Sequence, residues 1–175
     1  MIRRPIVLAA LILAPFVTAC HGSSASATSQ GADVAPKVAV VGKLAPTFDE
    51  KTVDGSMLSL ASLRGKAVYL NFFASWCPPC NEEASEVSAV QQEFAARGLQ
   101  VVGVDVLENP EKAKQFVASH HLVYPALADD GTLRDAYSIN GLPVHAFIDR
   151  NGIVRKIYIG ELDKSQMEAD VKMIL

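Results

Sequence analysis

Two cysteines, Cys77 and Cys80, separated by two prolines, sit in the stretch NFFASWCPPCNEE between an apolar run and an acidic one. A CxxC pair can ligate a metal, staple a loop, attach a haem or exchange disulfides. A structural zinc site asks for four ligands, commonly two such pairs or one pair with spaced histidines. No second CxxC exists here, and His120 and His121 are adjacent, which is poor geometry for joint ligation and reads as a solvated helix end. A haem attachment site reads CxxCH, whereas Asn81 holds the histidine position. A purely structural disulfide in so short a loop would be unusual. Exchange chemistry suits the pair best. Cys77 follows an apolar, β-prone run and opens a helical pattern, and a helix start leaves backbone N–H groups unpaired and partly positive. A thiolate there is stabilised, and the thiolate is the attacking species. Cys80, one turn on, is placed to attack the mixed disulfide that Cys77 forms with a partner. Pro78 and Pro79 suit the first helical turn, where a missing N–H costs little. They also withdraw donors from the sulfur and so help to set the redox poise.

The elements that must position this pair follow from periodicity and punctuation. Ala45–Phe48 and Met57–Leu60 flank Asp54-Gly55, a turn signal that predicts a hairpin. Ala67–Phe73 (AVYLNFF) reads as a buried strand. Glu82–Arg97 carries Val87, Val90 and Phe94 at helical spacing and is stopped by Gly98. Gln100–Val106 reads as a second buried strand. Asn109-Pro110 opens a helix that runs to about His120. Val123–Leu127 reads as a short strand, Thr132–Tyr137 as a short helix and Val144–Asp149 as a strand. Asn151-Gly152 is a hairpin turn into Ile153–Ile159. Asp163 caps a last helix, Lys164–Ile174. The order implies an α/β fold with a central mixed sheet flanked by helices.

The rest of the chain bears on location. Of its 175 residues half are hydrophobic and 20% charged, with a net charge of −3 and no long basic run, which argues against nucleic acid as a partner. Residues 1–19, MIRRPIVLAALILAPFVTA, pair a basic start with an apolar run too short to span a bilayer comfortably, the layout of a secretory signal. Val17-Thr18-Ala19-Cys20 resembles a bacterial lipobox, with valine where leucine is commoner. That resemblance implies a lipidated Cys20 and explains the odd count of three cysteines. An ordinary signal peptide, leaving Cys20 as a free thiol, is the alternative. Residues 20–36 are small and polar and read as a flexible tether, with a reach of roughly 20–25 Å. Residues 37–175 then form the folded domain.

Asn71 to Cys80 resembles the active-site approach of the thioredoxin superfamily, and Gly141-Leu142-Pro143 before VHAFID is a second, distant match. The resemblance implies a thioredoxin-like fold in which Pro143 is a cis-proline facing the cysteines and Leu142 presents its backbone to the substrate. Trp76, Pro78 and Pro79 then flank the disulfide on the substrate-binding side. Within the superfamily the chain looks closest to the TlpA/ResA-like, membrane-tethered branch. Asn71 stands where ordinary thioredoxins carry Asp, Lys43–Leu63 supplies an N-terminal β-hairpin, and Leu107–Asp129 supplies a central insertion. Glu83 matches that branch's functional Glu three residues past the second cysteine, with a role in tuning the thiols or relaying a proton. A solvated first-turn acid is the plain alternative, and Glu82 reads that way. Val144 and His145 depart from the branch's usual threonines; His145 reads first as a packed strand residue and second as a polar contact to the site. The resemblance implies an extracytoplasmic protein–disulfide oxidoreductase, lipid-anchored on the periplasmic side of a bacterial membrane, with no cofactor or metal. Its substrates would be protein disulfides such as apocytochrome c cysteines, and a membrane thiol donor would re-reduce it. Two rivals remain. The stretch Ala45–Phe73 also resembles the front of a peroxiredoxin, although Ala74 stands where the peroxidatic pattern needs threonine. A periplasmic copper chaperone on this fold tends to use CxxxC and a distant histidine, one residue longer than the spacing here.

Overall fold

A computed structural model describes residues 36–175; the expected signal segment, Cys20 and all but the last residue of the expected tether lie outside the described residues. The small antiparallel hairpin pairs β1 (Asp49–Lys51) with β2 (Met57–Ser59). The main sheet is built from β3 (Ala67–Phe73), β4 (Leu99–Asp105), β5 (Ala126–Ala128), β6 (Val144–Ile148) and β7 (Val154–Ile159), in the order β5-β4-β3-β6-β7. β3, β4 and β5 run parallel, and β6 and β7 are antiparallel to their neighbours. The helices are α1 (Pro78–Phe94), α2 (Pro110–Ser119), α3 (Thr132–Ala136) and α4 (Lys164–Ile174). Among the described residues no helix is long and apolar enough to cross a membrane.

The central strand explains the layering. All seven residues of β3 are buried, and their side chains alternate between two cores because strand side chains alternate between faces. Val68, Leu70 and Phe72 join Phe48, Leu63, Leu133 and Tyr137 on one face. Ala67 and Tyr69 join Val87, Val90 and Phe94 of α1 and Met167 and Val171 of α4 on the other. Phe73, on that second face, packs with Cys77, Cys80, Ala84 and Phe116. The cysteine pair is therefore anchored at the end of a strand buried along its whole length.

The elements match the sequence reading, with shifted boundaries. α1 starts at Pro78, before the apolar periodicity that begins at Glu82 and where the cysteine pair put the helix start, with Cys77 as its N-cap; it tightens into a 3₁₀ turn before Gly98 at φ 90°. The hairpin's first strand lies nearer the turn than Ala45–Phe48, since Ala45 and Phe48 are drawn into the core and Ala45 bonds to Gly152. β5 moves on to Ala126–Ala128, where it pairs with Gly103–Asp105. Asn109 caps α2, and Asp163 caps α4 in a capping box with Gln166.

Gly103, inside β4, marks a close approach. A Cβ there would lie 3.0 Å from the ring of Phe73, 3.2 Å from that of Tyr124 and 3.3 Å from Ala126. Gly103→Val should therefore destabilise the fold by about 1–3 kcal/mol through overpacking, read as a lower urea midpoint at unchanged slope. An unchanged midpoint would mean that these rings move aside freely.

Candidate active site

β3 delivers the chain to the start of α1, and Cys77 takes the position that serine, threonine, asparagine or aspartate usually fills. Its backbone is extended (φ −87°, ψ 109°), and its Sγ accepts the N–H of Cys80 at 3.3 Å. Pro78 and Pro79 at the next two positions have no N–H to offer, so Cys80 supplies the backbone donor that reaches the sulfur. Cys77 and Cys80 form a disulfide, with Cα atoms 5.3 Å apart, and both are almost fully buried. Trp76 is 59% exposed and Pro78 is exposed, while Pro79 is half-buried. The Leu142–Pro143 peptide bond is cis. Leu142 packs against the cluster that holds both cysteines, and the Pro143 carbonyl accepts the N–H of Gly160. The structure thus brings the Cys77–Cys80 pair and the Leu142-Pro143 turn to one end of the sheet. Cys20 lies outside the described residues.

Glu83 is three residues past Cys80, on the same helix face, and is 2% exposed. Asn71 donates from Nδ2 to one carboxyl oxygen at 3.0 Å, and the Leu162 N–H donates to the other at 3.4 Å. Burial pushes the Glu83 carboxyl up to about 7, against the opposing pull of those two donors. Glu82 is exposed. His145 is fully buried, with Nε2 3.5 Å from Glu83 and 2.9 Å from the Gly160 carbonyl. A carbonyl only accepts, so Nε2 carries the proton and Nδ1 accepts from the Tyr69 hydroxyl at 2.7 Å. Burial lowers His145 to about 4. It is therefore neutral at pH 7, and its contact with Glu83 is a weak N–H donation rather than an ion pair. With both ring nitrogens engaged inside the core, His145 offers nothing to a copper ion.

Four polar residues near the pair take roles that the sequence reading did not assign to them. Glu108 accepts the Ser75 hydroxyl at 2.7 Å on one oxygen and the Ser75 backbone N–H on the other. Asn81 donates to the carbonyls of Ser75 (3.1 Å) and Cys77 (2.7 Å). His120, expected to be a solvated helix end, is half-buried and meets the Asn81 side-chain oxygen at 2.9 Å. Asp105, at the end of β4, is 1% exposed, and neither oxygen meets an N–H or hydroxyl donor. Burial, and then the Glu108 carboxylate beside it, push Asp105 up to about 9. Asp105 is thus a neutral acid at pH 7 that can donate its proton to Glu108. Against partial burial, that donation and the bonds from Ser75 hold Glu108 below the usual carboxylate range. The Ser75–Glu108 and Asn81–His120 contacts join residues 33 and 39 positions apart, and only the fold brings those pairs together.

This arrangement can do one kind of chemistry well. A sulfur at a helix start is the electrophile or nucleophile, a second sulfur lies within bonding distance, and a carboxyl that titrates near neutrality lies one turn behind. The AhpC/TSA family pattern matches residues 41–157. The chain is 33% identical over 135 residues to the thiol-disulfide oxidoreductase ResA of a Bacillus cereus strain, covering 77% of this chain and 78% of that protein. It is 34% identical over 130 residues to the thioredoxin-like protein YneN of Bacillus subtilis (strain 168), covering 73% and 76%. A solved thiol:disulfide interchange protein of the thioredoxin family from Chlorobium tepidum TLS superposes with a TM-score of 0.72 at 35% identity, over 77% of this chain and 97% of that one.

Two outcomes follow from the buried acids. Glu83→Gln should abolish the inflection near pH 7 in the rate at which Cys80 resolves a mixed disulfide, and slow that step roughly 100-fold at pH 7; an inflection that persists in the variant removes Glu83 from the proton path. Asp105 has a folded-state pKa above its ordinary value. Its contribution to stability is therefore fully present below about pH 4 and is lost as pH rises towards 9. Asp105→Asn, which keeps a donor facing Glu108, should raise stability at pH 8 by on the order of 2 kcal/mol and give no gain at pH 3.5, as read from denaturant melts at the two pH values.

Proposed function

This chain belongs to the AhpC/TSA family and is a thioredoxin-like thiol–disulfide oxidoreductase, and from that premise we propose that it is a lipid-anchored, extracytoplasmic reductant of protein disulfides. The observation that carries the direction of electron flow is the environment of the sulfurs. Two prolines leave one backbone N–H facing Cys77, and the buried Glu83, ionised above about pH 7, places negative charge behind the pair. Relative to a helix start that offers its full set of N–H donors, both features weaken the stabilisation of the thiolate. A reduced form that is poorly stabilised gives up its electrons readily, the reverse of a strong oxidant.

In the proposed cycle the Cys77 thiolate attacks one sulfur of a substrate disulfide. The other substrate sulfur leaves as a thiolate and takes a proton from solvent. Cys80 then loses its proton to Glu83 and attacks the Cys77 sulfur, which releases the second substrate thiolate. Two electrons have passed to the substrate, and Cys77 and Cys80 are left joined. Leu142 and Pro143 hold the substrate backbone, with Trp76, Pro78 and Pro79 along the rim. The sequence MIRRPIVLAALILAPFVTAC supports export and attachment through Cys20, with residues 20–36 as a tether and 37–175 as the catalytic domain. Cysteine pairs of apocytochrome c fit as substrates, and a membrane thiol carrier fits as the source of electrons.

The test is a Cys80→Ala variant of the full chain expressed in a bacterial host. It should accumulate mixed disulfides through Cys77, visible as reducible high-mass bands in the membrane fraction, and mass spectrometry should find CxxCH peptides among the trapped partners. Adding Cys20→Ala should move those bands out of the membrane fraction. A variant that traps nothing, although folded and reduced, would sink the reductase reading; rapid peroxide turnover by the wild type would favour a peroxidase in its place.

A further inference from the structure

The segment between β4 and β5 reaches back towards the cysteine loop at two points, one just before α2 and one at its C-terminal end. At the first, Glu108 spends both carboxylate oxygens on one residue, Ser75, taking its backbone N–H and its hydroxyl. At the second, His120 closes α2 and meets Asn81 at 2.9 Å. Asn81 uses its amide nitrogen on the carbonyls of Ser75 and Cys77, so its oxygen faces His120 and the imidazole Nε2 must donate. The His120 ring is itself fixed, tilted over Phe116 at 4.3 Å, and Phe116 stacks on Phe73 at 4.4 Å at the end of β3.

The backbone carries an independent sign. Leu107 (φ 67°) and His121 (φ 51°) are two of the three non-glycine residues at positive φ among the described residues. They stand immediately before Glu108 and immediately after His120. Such conformations are disfavoured for side chains larger than glycine and persist where the surroundings impose them. Leu107 is also 56% exposed, so its own packing does not explain its backbone. The strain falls at the two places where the insertion must turn to present a polar group to Ser75 and to Asn81.

We propose that Glu108 and His120 are positioning residues for disulfide exchange, gripping the Ala74–Cys77 loop from both ends of α2, Glu108 directly and His120 through Asn81, so that Cys77 is held in its helix-capping conformation whether or not it is bonded to Cys80. This rests on the proposed function. Breaking the Cys77–Cys80 bond removes the one covalent cross-link that ties the end of this loop to α1, whereas neither clamp contact involves a sulfur. The loop therefore keeps its shape through the reduced and mixed-disulfide states, and Cys80 finds Cys77 at the same place when it attacks.

Trp76 is the only tryptophan in the chain and lies inside the gripped loop, so it reports on the clamp directly. In the reduced full chain, Trp76 fluorescence anisotropy should decay with the tumbling of the whole domain. Glu108→Ala and His120→Ala should each add a fast nanosecond component and slow reduction of the disulfide dye 5,5′-dithiobis(2-nitrobenzoate) by roughly 10- to 100-fold. Glu108→Gln and His120→Gln retain acceptor and donor and should recover most of both signals. Lys114→Ala, on the exposed face of α2, should match the wild type. If an alanine variant does not fold, Asn81→Leu decides in its place, since it cannot bridge His120 to the Ser75 and Cys77 carbonyls. Folded variants with wild-type anisotropy and rate overturn the clamp, as do glutamine variants no better than alanine. A wild-type chain that reduces no disulfide overturns the proposed function instead, and the anisotropy still decides the clamp.

Discussion

An α-helix begins with backbone N–H groups that have no partner inside the helix, and in this chain a sulfur answers that demand. Cys77 caps α1 through its contact with the Cys80 N–H. This one interaction links a fully buried strand of the sheet to the chemistry of the site. If the cap were an ordinary serine, the helix would be as well started and the chain would have no redox centre. If the sulfur sat in a free loop, it would lose both the donor and the neighbour that closes the disulfide. The rest of the architecture keeps this helix start in place. β3 enters it from a fully buried run, Phe73 and Phe116 pack beneath it, and α4 packs beside α1 on the same face of the sheet.

Behind the cap lies a polar seam within an apolar layer. Tyr69, Asn71, Glu83 and His145 are all buried between the sheet and α1, where an unpaired polar group would be costly. Each finds a partner: Tyr69 with His145, His145 with Gly160, Glu83 with Asn71 and Leu162. The seam is directional as well as satisfied. The Gly160 carbonyl fixes the imidazole tautomer, which leaves Nδ1 free to take the Tyr69 hydroxyl, so the histidine stays neutral and does not compete with the thiols as a base. Glu83 is then the group of the seam that changes charge near pH 7.

Much of the fold was legible in the sequence because strand and helix periods are local. Ala67–Phe73, Asn109-Pro110, Asn151-Gly152 and Asp163 each announce an element through a few neighbouring residues, and each is where the structure has it. The boundaries that moved are those decided at long range, as at Ala45 and Phe48, which the core claims from the hairpin. The site divides in the same way. The spacing of Cys77 and Cys80 and the helix start are local facts. Glu83 and the cis bond before Pro143 could be anticipated from resemblance alone, since a first-turn acid is ordinarily solvated and an X–Pro bond is ordinarily trans. Glu108 and His120 gave no signal. Each acts across more than thirty residues of chain, and His120 next to His121 at a helix end has the composition of a solvated cap.

The buried acids show how environment, rather than residue type, assigns a role. Glu83 and Asp105 are both carboxyls, both nearly inaccessible, and both on the α1-facing side of the sheet. Glu83 is met by an amide, a backbone N–H and a more distant imidazole N–H. These donors offset part of the cost of burying a charge, and the carboxyl is left near 7, where it can take a proton and return it. Asp105 meets no such donor, and a carboxylate stands beside it. Its proton is held up to about 9, and it serves as a hydrogen-bond donor to Glu108 rather than as a proton acceptor. The first environment makes a group that exchanges protons within the working pH range. The second makes a fixed brace, holding Glu108 ionised for its two bonds to Ser75. The proposed cycle needs both: a proton that moves when Cys80 attacks, and a loop that does not.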